Sequence, residues 1–241
     1  MSGRPSATAV RGVVGSSSSA FGQRTRVARL RASHSYGLVL VLIIVAFLLA
    51  LLLPDTSWSG SLLVLVQCAV LIVALWSAGA VATSSRPSIF LVVFSVAAAV
   101  ANVLPGGRTA YGIVSLVAGV LTAAIIVVIG RGVLDQGEVN LQSIRGAIAV
   151  YIVLGLLFTF LYGAVAALGS GSFFAQGTDG TRAVRTYFSY VTLATLGYGD
   201  YSPAGTVGHT LAVVEALAGQ IYLVTVVALL VSRVGLGRKD S

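Results

Sequence analysis

Charge is scarce in this chain of 241 residues: 9% are Asp, Glu, Lys or Arg, against about 25% in an ordinary soluble domain. Cysteine is scarcer still. Cys68 stands alone inside an apolar run, which excludes an intrachain disulfide and a cysteine metal site. His34 and His209 are the only histidines, and the chain has no H-E-x-x-H or G-x-S-x-G string. Hydrolytic chemistry therefore finds no support, and neither an enzymatic activity nor a cofactor is expected. What is present instead is apolar: 57% hydrophobic residues and a mean hydropathy of +0.98. That much apolar surface has no place except in lipid, so the expected class is an all-α membrane protein.

The gaps between charges locate the spans. No charged residue lies between Arg31 and Asp55, Asp55 and Arg86, Arg86 and Arg108, Arg108 and Arg131, or Arg145 and Asp179. Each gap holds the ~20 apolar residues that cross ~30 Å of hydrocarbon. Helices are expected near 37–53, 61–82, 88–104, 111–130 and 147–168, with a sixth at 207–232 interrupted only by Glu215. The 15 Lys and Arg outnumber the 7 Asp and Glu, but their placement reads as topology and not as a nucleic-acid patch. With both termini cytoplasmic, 12 basic residues fall inside and only Arg108, Arg182 and Arg185 outside. A multi-pass plasma-membrane protein is the expectation. Trp58, Tyr111, Phe173 and Phe174 are expected near the outer boundary. Residues 1–36 are Ser-, Gly- and Arg-rich and acid-free, which reads as a disordered cytoplasmic segment. Its arginines either meet anionic lipid or serve topology alone, and an organelle transit peptide has a similar composition.

The most informative segment follows the fifth span. Residues 182–194 are too short to cross and too apolar for an open loop, as in re-entrant elements. Thr195-Leu196-Gly197-Tyr198-Gly199-Asp200 comes next, and Pro203 stops it. A helix, a re-entrant half-helix, T-x-G-Y-G-D and a final helix resemble the pore domain of tetrameric potassium channels over residues 147–235. The whole layout resembles prokaryotic six-span members of that family with one pore loop. The resemblance implies a homotetramer in which four copies surround one axis. It also implies a filter in which the carbonyls of Thr195, Leu196, Gly197 and Tyr198, with the Thr195 hydroxyl, coordinate K+ as permeant ion. Gly197 and Gly199 suit the backbone conformations that turn successive carbonyls to one side. Asp200, Thr192 and Glu215 are expected to support the filter, and Gly219, 20 positions after Gly199, stands where the family has a gate hinge. Close helix packing explains Gly219 equally well, and Gln220 is a polar candidate for the cavity wall.

Three departures touch the filter. Leu196 replaces the usual Val or Ile, Ala194 replaces a frequent Thr, and Phe188 replaces a frequent Trp, leaving Thr192 or Tyr187 to support Tyr198. The expected organisation is a basic segment 1–36, a four-helix domain 37–130, a cytoplasmic linker 131–146, the pore domain 147–235 and a tail 236–241. Residues 111–130 carry no charge, so the arginine ladder of voltage-gated relatives is absent. Ser115, Gly119 and Ala123 form instead a small-residue face suited to close helix packing or to a regulatory contact. Glu215, the one acid inside a span, is expected to brace the filter or to control it through a proton. The expected function is passive, weakly voltage-dependent potassium conduction. A non-conducting accessory subunit and a six-helix secondary transporter remain the alternatives, although no second copy of the pore hairpin is present.

Overall fold

The computed structural model describes residues 36–77, 93, 95, 97, 107–134 and 141–236. The basic N-terminal segment, most of the third expected span and the centre of the linker lie outside the described residues. Among those described the protein is all-α, with isolated β-bridges at Phe174 in place of strands. In chain order the helices are α1 (Tyr36–Leu52), α2 (Ser57–Ser77), α3 (Gly107–Leu134), α4 (Leu141–Leu168), α5 (Arg182–Leu193) and α6 (Thr206–Leu236). Four of them, α2, α3, α4 and α6, are long and apolar enough to cross a membrane. α1 is apolar but shorter.

Local chemistry sets the ends. Pro54 stops α1, and the Ser59 side chain caps the start of α2. The Thr56 N–H donates to Ser59 Oγ at 3.3 Å, while the single Ser59 hydroxyl hydrogen serves either the Pro54 carbonyl at 2.6 Å or the Thr56 carbonyl at 2.9 Å. Thr181 caps α5 by accepting the Val184 N–H. α3 and α4 run past the expected spans, so helix enters the 131–146 stretch from both sides.

α3 packs along α4 and α2, and α4 also meets α5 and α6. The core between α1, α2, α3 and α4 is aliphatic, with Ile43, Leu63, Leu71, Leu121 and Ile129 all but fully buried. Ser115 and Gly119 of the small-residue face are buried, and a Cβ at Gly119 would stand in ordinary contact with Phe160 and Leu161 of α4. That part of the face packs against α4. A second, aromatic cluster joins Phe158 and Tyr162 of α4, Phe188 of α5, and Phe173 and Phe174 of the α4–α5 loop. Its centroid separations are 5.1 Å for Tyr162–Phe188 and 5.4 Å for Phe174–Phe188. Phe173 and Phe174 are therefore covered by protein. They are buried because the loop folds back, with the Ala175 N–H donating to the Ser202 carbonyl and the Ala204 N–H to that of Phe173.

Candidate functional site

α5 ends where the backbone inverts. φ is +55° at Thr195, +58° at Gly197 and +79° at Gly199, so every second residue is left-handed. An ordinary strand points successive side chains and carbonyls to alternate sides. Inverting alternate residues is the change that turns neighbouring carbonyls toward one side. Glycine adopts these angles freely, whereas a β-branched residue such as Thr195 does so only at a cost of about 1–3 kcal/mol. The Thr195 N–H donates to the Thr192 carbonyl and the Leu196 N–H to that of Val191, both at 2.9 Å. These bonds tie the start of the segment to the end of α5. Thr192 enters through its backbone carbonyl. Residues 194–200 are exposed on the single chain.

Tyr187 secures the far end. Its hydroxyl donates to Asp200 Oδ2 at 2.8 Å, and its ring stacks on Tyr198 with centroids 6.4 Å apart and planes 14° from parallel. The bond to Asp200 pushes the Tyr187 hydroxyl above its ordinary pKa, so it stays a donor. Gln176 Nε2 donates to the Asp200 carbonyl at 2.8 Å.

Glu215 is fully buried on α6 and faces two other helices. Tyr162 Oη of α4 donates to its Oε2, and Ser189 Oγ of α5 lies at its Oε1, each at 2.5 Å. Ser189 Oγ also reaches the Gly155 carbonyl at 2.7 Å. One carboxyl thus joins α4, α5 and α6. Gly219, one turn further, abuts the Leu193 carbonyl at the end of α5, and a Cβ there would collide with that oxygen. Gln220 Nε2 donates to Thr195 Oγ1 at 3.0 Å.

The N-terminal end of α5 is held by a cluster that single-sequence reasoning missed. Asp55, in the α1–α2 loop, accepts the Arg182 backbone N–H at 2.9 Å and Arg185 Nη2 at 3.1 Å, and Arg182 Nη1 lies at 3.6 Å. Tyr111 Oη of α3 accepts from Arg185 Nη2, and the Arg185 guanidinium lies 5.6 Å from that ring's centroid. Both arginines are 3% exposed. Burial lowers the Arg182 pKa from its ordinary value, with Asp55 opposing the shift. The two side chains line a cavity of about 20 Å³, room for one water, and among the described residues neither Nε–H has an acceptor. Arg108 of α3 pairs with Asp179 at 3.0 Å at the same end. The only advance signal for this cluster was the three outer arginines, Arg108, Arg182 and Arg185, without any indication of pairing.

A family comparison covers the stretch that holds residues 194–200. Residues 147–235 match a family model described as "Ion channel". Over 104 residues the chain is 32% identical to the inward rectifier potassium channel Kirbac3.1 of Paramagnetospirillum magnetotacticum, covering 43% of this chain and 35% of that relative. The chain therefore spans about a third of the length of the curated relative it matches. No solved structure matches it.

Proposed function

We propose that this membrane protein, whose residues 147–235 carry an ion-channel domain, is a potassium-selective channel subunit that passes K+ down its electrochemical gradient. The observation that carries this reading is the alternation of left-handed residues at 195, 197 and 199 within Thr-Leu-Gly-Tyr-Gly-Asp, at the end of a helix too short to span. A potassium ion leaving water needs a cage of oxygens in place of its hydration shell. Aligned carbonyls of Thr195 to Tyr198 supply it. The similarity to a protein named as a potassium channel supports the choice of ion.

One chain contributes one such segment, so the pore is a homotetramer around the exposed face of residues 194–200. Along α6, Val213, Leu217, Ile221 and Val224 are about half exposed or more, a surface for neighbouring subunits and lipid. The full layout is six spans with α5 re-entrant, both termini cytoplasmic, in the plasma membrane. The negative C-terminal end of α5 favours a cation below the filter. No resident cofactor is needed, since the permeant ion is cargo.

Purified protein in liposomes decides the matter. Rubidium uptake that greatly exceeds sodium uptake is the expected result. Equal uptake of the two ions overturns potassium selectivity, and no uptake of either favours an accessory subunit.

A further inference from the structure

The hydroxyl at the inner end of the filter segment is held from another helix. Gln220 Nε2 of α6 donates to Thr195 Oγ1 at 3.0 Å. Among the described residues Thr195 is the one non-glycine with positive φ, a conformation that persists only where its surroundings hold it. Its backbone is held from within, by the bond to Thr192. Its side chain is held by Gln220.

Gly219 makes that reach possible. With no Cβ it lets α6 press against the Leu193 carbonyl, which brings the next residue up to the filter base. The two neighbours act together, since glycine permits the approach and glutamine makes the bond. A threonine hydroxyl has one hydrogen and two lone pairs. When Gln220 occupies one lone pair it fixes the direction of the other, and a cation stripped of water depends on where its oxygens point.

We propose that Gln220 is a positioning residue for the ion path: its amide aims the Thr195 hydroxyl, and so sets how firmly a cation is held at the inner end of the filter. The inference rests on the potassium-channel reading above. It also assigns Gly219 a place in the filter's support as well as any pivot.

Barium tests it, being doubly charged and close to potassium in size, applied from the α6 side of the full-length protein in planar bilayers. Wild type is expected to carry potassium-selective current that inner barium blocks. Gln220→Leu should weaken that block roughly tenfold, as the loss of a hydrogen bond per subunit implies, while block from the opposite side is unchanged. Gln220→Met, which keeps the length, should do the same and serves if the leucine variant does not assemble. In a Thr195→Val background, which removes the hydroxyl, Gln220→Leu should add less than about twofold. Inner block within about twofold of wild type in both Gln220 variants overturns the inference, as does an undiminished tenfold loss without the hydroxyl. A wild type that does not select potassium over sodium overturns the channel reading itself, and the inference falls with it.

Discussion

At Gly197 and Gly199 a Cβ would meet nothing within 4 Å, yet both residues are left-handed. What excludes alanine there within one chain is backbone conformation, not space. The left-handed region costs an L-residue about 1–2 kcal/mol, and in the proposed tetramer four subunits multiply the penalty around the axis. Gly197→Ala and Gly199→Ala are therefore expected to insert and assemble but to lose potassium over sodium selectivity, measured as the rubidium-to-sodium flux ratio in liposomes. Retained selectivity in either variant would falsify the assignment of the ion path. These two residues were legible because glycine advertises a special backbone in the sequence itself. The inverted backbone at Thr195 was not, since a β-branched residue gives no hint of a φ of +55°. Nor does the identity of Gly219 distinguish a pivot from a close approach; its proximity to the Leu193 carbonyl becomes visible only when α5 and α6 are seen together.

Between elements, Glu215 is the junction of α4, α5 and α6, and its two neighbours define what can replace it. Tyr162 needs an acceptor. The single hydrogen of Ser189 serves either Gly155 or Glu215, not both. In Glu215→Gln the amide oxygen accepts from Tyr162 and the amide N–H supplies the hydrogen that Ser189 lacks, so assembly and conduction should stay near wild type. Glu215→Ala leaves the buried Tyr162 hydroxyl without its acceptor, while Ser189 keeps the Gly155 carbonyl, and it opens a void, a loss on the order of 3 kcal/mol per subunit. Thermal unfolding of the purified assembly should show the alanine variant markedly less stable and the glutamine variant close to wild type. If alanine melts with wild type, the carboxyl is not a brace. Ser189 was a candidate partner for Glu215 as a hydroxyl on the short helix before the filter, and Thr192 was an equal one. Tyr162 was not, because it lies 53 residues away on another helix. The Asp55–Arg182 contact is less accessible still, at a separation of 127 residues. Charge spacing finds helices because it reports which stretches tolerate lipid. It cannot report which loop closes on which.

For the whole molecule, the absence of charge in the middle of α3 bears on how the proposed channel responds to the membrane field. Moving one charge through the membrane is worth ~2.3 kcal/mol per 100 mV, and steep voltage gating needs several charges per subunit. α3 has Arg108 in its first turn and Arg131 in its last, with none between. Arg108 is anchored, donating to Asp179 at 3.0 Å and to the Ala166 carbonyl at 2.6 Å. Arg182 and Arg185 are buried against Asp55 and so bound to the α1–α2 loop. None of these arginines is placed to travel across the bilayer. The first helices instead grip the start of α5 through Asp55 and Tyr111, a static contact between that bundle and the filter's own helix. Open probability in planar bilayers is accordingly expected to vary only weakly with voltage, with whatever dependence remains arising from ions moving within the filter. The effective gating charge should fall well below the roughly 12 per tetramer of a voltage sensor with three to four arginines per subunit. A measured charge near that number would mean that a charged element crosses the field, and the description of α3 as a fixed packing helix would have to be abandoned.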